Sequence, residues 1–209
     1  MDGWTRQKPP RPVGSGVSGI PTPTEIVLVR HARSVPPTAD GPDEFTRPLT
    51  TDGLRQAQEL VAVLTEPRPA AVWSSPYRRA IQTVQPTADA LGLPVRTLTE
   101  LREWDDGLSF TEVWESHYVR SWANLSYARP GGESLEQLSI RAVEAVRTLV
   151  RHNPGRVVLV GSHGTFISRA LAGFGVPVSW ATVRQMPMPA IYRLRFTDPS
   201  TRPTVCGWT

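Results

Sequence analysis

Two short apolar runs, Ile26-Val27-Leu28-Val29 and Val157-Val158-Leu159-Val160, constrain this chain more than any other feature. Each is continuous and rich in β-branched residues, which fits a strand buried on both faces of a parallel sheet better than a surface helix. Each is followed closely by a histidine: His31 in Leu28-Val29-Arg30-His31-Ala32-Arg33-Ser34, and His163 in Val160-Gly161-Ser162-His163-Gly164. The carboxyl ends of such strands form the rim where ligands bind, because helix starts and free backbone N–H groups converge there. Two histidines delivered to that rim point to phosphate chemistry without a metal.

The rest of the chain reads as alternating strands and helices. Residues 35–48 hold several prolines and Gly41, a loop long enough to cover a site. Thr50-Thr51-Asp52 offers N-cap residues to an amphipathic helix with Leu54, Ala57, Val61 and Leu64 on its apolar face, ending before Pro67. Ala70 to Trp73 reads as a second strand, followed by a helix carrying Ala80, Ile81, Val84, Ala88 and Leu91 that Gly92 closes; Pro86 is expected to kink it. Val95 to Leu98 is a third strand. The segment 101–129, with Trp104, Trp114, Tyr118, Trp122 and Tyr127, reads as an inserted helical cap spanning about 104–130.

Pro130-Gly131-Gly132 then breaks the chain, and Ser134 with Gln137 forms a capping box for a helix burying Leu135, Leu138, Ala142, Val146 and Leu149. A helix from Phe166 to Leu171 and a final strand from Ala190 to Phe196 complete the pattern. The alternation predicts an α/β fold, with a mostly parallel central sheet and helices on both faces. The expected organisation is a flexible tail over 1–24, one domain over 25–198 and a polar tail over 199–209. A length of 209 residues suits one well-buried domain.

Composition removes several function classes. The longest apolar run falls far short of the roughly 18 residues that span a bilayer, so no membrane role is expected. The start lacks a continuous apolar stretch of the signal-peptide kind, and the single cysteine, Cys206, excludes a disulfide framework, so a cytoplasmic location is expected. The net charge is +4, but the basic residues are dispersed arginines with Lys8 the sole lysine; no basic block argues for nucleic acid. Gly14-Ser15-Gly16-Val17-Ser18-Gly19 follows no strand and runs into Pro21, which argues against a dinucleotide site. No His, Asp, Glu or Cys cluster has metal-ligand spacing, and neither metal nor cofactor is expected.

Six motifs in order resemble the histidine phosphatase superfamily, the phosphoglycerate mutase-like fold, over about residues 25–196. Arg30-His31 is similar to its nucleophile motif, and Leu49-Thr50-Thr51-Asp52-Gly53 with Gln56-Ala57 to its first helix start. Ser74-Ser75-Pro76-Tyr77-Arg78-Arg79-Ala80-Ile81-Gln82-Thr83 is similar to its second arginine motif, and Leu101-Arg102-Glu103 with Gly107 to its acid motif. Pro130-Gly131-Gly132-Glu133-Ser134 and Ser162-His163-Gly164 complete the set. Ala32 stands where a glycine is common and Arg33 where an acidic or amide residue is usual, which puts contacts around Arg33 in doubt.

An imidazole attacking phosphorus must be unprotonated, and a neighbouring cation favours that state. Arg30 and Arg79 can supply the cation and grip phosphoryl oxygens with paired hydrogen bonds. The resemblance implies that His31 becomes a phosphohistidine, that His163 donates hydrogen bonds to the transferred phosphoryl group, and that water then releases phosphate. Glu103 is the expected general acid, its proton retained by like charge beside bound phosphate, with Asp105 and Asp106 as alternatives. Ser34 is a further candidate phosphate contact.

The expectation is therefore a metal-independent phosphomonoesterase acting on a small phosphorylated metabolite. The alternatives are a phosphoglycerate-type mutase, a protein phosphohistidine phosphatase, or a non-catalytic phospholigand-binding module. Val35-Pro36-Pro37 follows the nucleophile motif where glycolytic mutases carry a Trp-Asn pair, which disfavours the mutase. The expected partner is a small phosphorylated substrate, with a homodimer left open.

Overall fold

The computed structural model describes residues 22–108 and 114–207. The tail expected over 1–24 and its glycine string lie almost wholly outside these residues. Along the chain run β1 (Thr24–Arg30), α1 (Thr51–Glu59), α2 (Val61–Leu64), β2 (Ala71–Ser74), α3 (Arg78–Leu91) and β3 (Val95–Thr97). A short 3₁₀ turn, Thr99–Leu101, leads to α4 (Trp114–Ala123), α5 (Leu135–His152), β4 (Val157–Ser162), α6 (Gly164–Gly173), α7 (Trp180–Gln185), β5 (Ala190–Phe196) and β6 (Thr204–Gly207).

The sheet order is β3-β2-β4-β1-β5-β6, with β3, β2, β4 and β1 parallel and β5 and β6 antiparallel. The two histidine-bearing strands are neighbours, in a register that pairs Leu28 with Val160 and Arg30 with Ser162. This pairing brings sequence-distant His31 and His163 together at one rim.

Strand alternation explains the two-sided burial. Ile26, Leu28, Val158 and Val160 face one layer, where they pack with Leu138, Val146 and Leu149 of α5 and with Phe166 and Ile167 of α6. Val27, Val29 and Leu159 face the other, against Leu64 of α2 and Val84, Ala88 and Leu91 of α3. Each fully buried aliphatic side chain contributes on the order of 1.5–3 kcal/mol through the apolar area removed from water.

The capping box of α5 forms as expected: Ser134 Oγ accepts from Gln137 N and Gln137 Oε1 accepts from Ser134 N. Gly92 ends α3 in the left-handed region, φ 68°, and α3 runs through Pro86. Thr50 caps α1 by accepting from Gly53 N at 3.0 Å. Gly53 has no freedom to be larger, because a Cβ there would lie 2.0 Å from the Arg33 carbonyl oxygen.

Two expectations are corrected, and α7 and the single described cap helix add detail that the sequence pattern did not give. The single helix expected before Pro67 breaks at Leu60 into α1 and α2, and Leu54 is exposed, because Gly53 and Ala57 form the buried edge instead. The segment expected as a polar tail contains β6, which pairs antiparallel with β5 and supplies its missing hydrogen bonds. The short helix α7 had no counterpart in the expected pattern, since six residues between turns carry little periodicity. Within the cap, α4 is the one helix among the described residues; 109–113 lie outside them.

Candidate active site

The site is built where β1, β2, β3 and β4 end. His31 follows β1, and its N–H is held by the Ser162 carbonyl at 2.9 Å. Its Nδ1–H donates to the Ala32 carbonyl at 2.8 Å, which fixes the tautomer and leaves the lone pair on Nε2. That nitrogen accepts from Arg79 Nε at 3.2 Å. Burial, the Arg79 charge, and weaker effects from Arg30 and Arg47 hold His31 well below the usual histidine range. An unprotonated imidazole is thereby maintained into mildly acidic solution.

The neighbouring loop is braced by residues of the family motifs. Thr83 Oγ1 accepts from Ala32 N at 3.0 Å and donates to the Arg79 carbonyl, joining the nucleophile loop to α3. Gln56 Oε1 accepts from Arg33 N, and Gln82 Oε1 from Leu49 N. Arg33 itself is exposed and pairs with Asp52 at 3.6 Å on the surface.

His163, fully buried, lies 5.3 Å from His31 between ring centroids. Its Nε2 is 2.8 Å from Ser75 Oγ, and Ser75 Oγ also accepts from Tyr77 N. With Nε2 accepting from the Ser75 hydroxyl, the ring proton would sit on Nδ1. That Nδ1 is buried and has no hydrogen-bond partner among the described residues. A phosphoryl oxygen would satisfy it. Burial, then Arg79, then His31, keep His163 well below its ordinary range.

Arg30 ends β1, and its Nη1 donates to the carbonyls of Met186 and Pro187, which places α7 as its brace. Its Nε is buried and unpartnered. Gly164 lies against this guanidinium; a Cβ there would be 3.1 Å from Nε, so the glycine of the Ser-His-Gly motif makes room for the arginine.

Arg79, on the first turn of α3, is 2 % exposed. Its Nη2 meets Glu44 Oε2 at 2.9 Å and its Nη1 donates to the Glu44 carbonyl at 2.6 Å. The same Glu44 carboxylate is gripped by Arg47 through Nε at 3.0 Å and Nη2 at 2.8 Å. Arg47 also donates through Nη1 to Ser34 Oγ and the Val35 carbonyl, both at 2.7 Å. Ser34 thus reaches the site as the partner of an arginine. Glu44 and Arg47 lie in the 35–48 loop and carried no signal in the sequence; Ser75 and Tyr77 stood inside a recognised motif without a role.

Glu103 is seated at the start of α6. Its Oε1 accepts from Trp104 N and Phe166 N at 2.9 and 3.0 Å, and its Oε2 from Thr165 N at 3.2 Å. The Pro-Gly-Gly-Glu-Ser motif anchors the loop that carries it: Glu133 N donates to the Asp105 carbonyl, and Trp104 Nε1 to the Glu133 carbonyl. Arg141 of α5 pairs with the Glu133 carboxylate and donates to the carbonyls of Glu100, Arg102 and Glu103. Asp106, the alternative acid, is raised from its ordinary value by burial, against the opposing effect of its hydrogen bonds to Leu108 N and Tyr118.

Arg30 and Glu103 open into a cavity of about 270 Å³ walled by Trp114, Tyr118, Trp180 and Arg184. Tyr118 packs edge-on against Trp104 and Trp114, and Arg184 pairs with Glu115 at 3.0 Å. Of the cap tryptophans, Trp104 is buried packing while Trp114 lines this cavity. Neither this cavity nor a larger recess of about 480 Å³ beside Leu125, Ile140 and Arg169 is lined by either histidine; the smaller one adjoins them through Arg30 and Gly164. His117 is half-buried, and its carbonyl accepts from Arg129 and Ser121. Among the described residues no group of three or more His, Cys, Asp or Glu is placed to hold a metal ion, and no helix is long and apolar enough to cross a membrane.

Fold and site together define an α/β enzyme with a histidine pair and an arginine-lined cleft for anions. The model of the histidine phosphatase superfamily, branch 1, matches residues 26–209, and the chain belongs to that family. It is 31% identical over 191 residues to an acid phosphatase of Mycobacterium tuberculosis, covering 88% of this chain and 86% of the relative. It is also 31% identical over 154 residues to a metal-independent phosphoserine phosphatase of Arabidopsis thaliana, covering 68% of this chain and 64% of that protein. Among solved structures, a mycobacterial glucosyl-3-phosphoglycerate phosphatase superposes with TM-score 0.72 at 24% identity, over 88% of this chain and 97% of the other. The protein is a phosphoric monoester hydrolase with the mixed, mostly parallel sheet of its family.

Proposed function

We propose that the protein hydrolyses a small phosphorylated metabolite without a metal, by way of a phosphohistidine on His31. The observation that carries this reading is the His31 imidazole: Nδ1–H is tied to a carbonyl, and the Nε2 lone pair faces Arg79 with His163 alongside. Substrate phosphoryl oxygens take the N–H groups of Arg79, Arg30 and His163, with the Ser34 hydroxyl a fourth donor. Nε2 attacks phosphorus, the P–O ester bond breaks, and its electron pair leaves on the alcohol oxygen, which takes a proton from Glu103. In the second step water attacks the phosphohistidine, Glu103 recovers a proton from it, and the P–N electron pair returns to Nε2 as phosphate departs.

Glu103 Oε2 bears one N–H contact against two on Oε1, and so retains a lone-pair position for the travelling proton. Asp106 is the second reading for this role, favoured by its raised protonation range and its hydrogen bond to cavity-lining Tyr118. The leaving group is placed among Trp114, Tyr118 and Trp180, with Arg30 and Arg184 available to an anionic substituent. Relatives named for phosphoserine and glucosyl-3-phosphoglycerate support a small anionic ester as substrate. The single free cysteine, Cys206, supports a reducing compartment such as the cytoplasm.

Phosphate release from phosphoserine, sugar phosphates and p-nitrophenyl phosphate, with His31→Ala as control, tests the proposal. Wild-type turnover with acid-labile, base-stable phosphate on the protein is expected, both lost in the variant. Full activity in the variant would sink it. Isomerisation of a phosphoglycerate without net release of phosphate would point to a mutase instead.

A further inference from the structure

The 35–48 loop places a carboxylate inside the phosphate-recognition machinery. Nε and Nη2 of an arginine share one edge of its planar guanidinium. On Arg79 that edge holds His31 Nε2 at 3.2 Å and Glu44 Oε2 at 2.9 Å, so a carboxylate oxygen sits beside the attacking nitrogen. The corresponding edge of Arg47 holds both Glu44 oxygens in a two-point fork, at 3.0 and 2.8 Å. This is the geometry with which arginine receives a phosphoryl group.

Arg47 is built for that task. It is 8 % exposed, its Nη1 is locked by Ser34 Oγ and the Val35 carbonyl, and Glu44 is its anionic partner. Glu44 is by contrast half exposed, on a loop, and can withdraw into solvent when an incoming anion takes over the two buried arginines. A phosphoryl dianion and a carboxylate cannot both occupy adjoining arginine edges, because like charges a few ångströms apart repel strongly.

Resting on the phosphatase reading, we propose that Arg47 is a third phosphoryl-binding arginine and that the Glu44 carboxylate holds the place of substrate phosphoryl oxygens until phosphate displaces it. Arg47 and Arg79 are thereby kept paired, oriented and desolvated between turnovers. The same displacement hands His31 Nε2 from Arg79 to phosphorus. Glu44 acts as a built-in competitor: it sets the concentration of phosphoester needed to open the site, and its release frees the side chain alone, because the Glu44 carbonyl stays on Arg79 Nη1.

Inorganic phosphate is the probe, its dissociation constant measured by calorimetry in a non-phosphate buffer of fixed ionic strength for wild type, E44Q, R47A and the double variant. E44Q removes the competing charge and keeps the shape, so its phosphate affinity is expected to rise about tenfold. R47A is expected to weaken binding by about tenfold in the E44Q background, because Arg47 touches phosphate itself, and by less in the wild-type background, where it also loosens the competing Glu44. If E44Q binds phosphate no better than wild type, or more weakly, Glu44 is a brace for the arginines and the proposal fails. If R47A has no effect once Glu44 is neutral, Arg47 serves only to hold Glu44 and its assignment fails. Binding by wild type that survives either result leaves the phosphatase reading standing, whereas no saturable phosphate binding by any of the four forms overturns both.

Discussion

The two poles of the cleft are made differently. At the phosphoryl pole His31 and His163 follow strand ends and Arg79 opens α3; all three are buried and tied by hydrogen bonds to backbone or to a buried side chain. At the other pole Trp114, Tyr118, Trp180 and Arg184 come from two short helices, α4 and α7, whose rings meet one another and the edge of the core. Rigid strand ends can hold donors within the few tenths of an ångström that phosphoryl transfer requires; helices resting on ring contacts can change shape without disturbing the sheet. On the proposed mechanism the chemistry is anchored at the strand ends, and the choice of alcohol falls to the cap.

The comparison is broken if substitutions at the two poles behave alike. The largest effect is expected from His31→Ala, which on the proposed mechanism removes the attacking atom: kcat should fall by at least about 10³-fold for every ester tested, in steady-state phosphate release. Next, Arg79→Ala should lower kcat by about 10²–10³, since a preorganised charged donor to the transferring group is lost. The acid is located by leaving group. Glu103→Gln should cost about 10²–10⁴ on an alkyl phosphate and far less on p-nitrophenyl phosphate, whose anion leaves unaided. If Asp106→Asn reproduces that split and Glu103→Gln does not, the proton comes from Asp106.

At the cap pole, Trp114→Ala or Trp180→Ala should shift kcat/KM by about 10- to 100-fold between substrates while the rate on p-nitrophenyl phosphate changes little. Equal losses on all substrates would mean that these rings support the catalytic groups themselves. The smallest effect is one of pH. Both histidines are held neutral in the fold, whereas an unfolded histidine titrates near about 6.5. Below that pH the unfolded chain binds protons that the folded chain refuses, so stability falls as pH drops, and His163→Asn should flatten the decline in Tm between about pH 7.5 and 5.5. For the same reason the acid limb of kcat/KM should lie below about 6.5.

Much of the phosphoryl pole was legible in the chain because its residues are local to strand ends. Arg30-His31 and Ser162-His163-Gly164 sit directly after runs whose burial and parallel pairing the pattern announced. The capping box of α5 and the closing Gly92 of α3 are likewise contacts within a few residues. Glu44 and Arg47 were not legible, since their roles come from side chains reaching across 35 and 13 residues of chain to Arg79 and Ser34. The misplacement of Leu54 has the same origin: helical spacing marks an apolar stripe, but Gly53 pressed against the Arg33 carbonyl decides which edge of α1 is buried.

By itself the sequence determined an α/β sheet, two strand-end histidines, a pair of motif arginines and an acid-bearing loop, because periodicity and short motifs encode contacts made by neighbouring residues. The tertiary structure alone decided that β6 closes the sheet edge, that α4 and α7 meet over the cleft, and that a carboxylate from the covering loop lies between two arginines beside His31. Those outcomes depend on which distant surfaces exclude water together and which buried charges find partners, and both are properties of the packed chain.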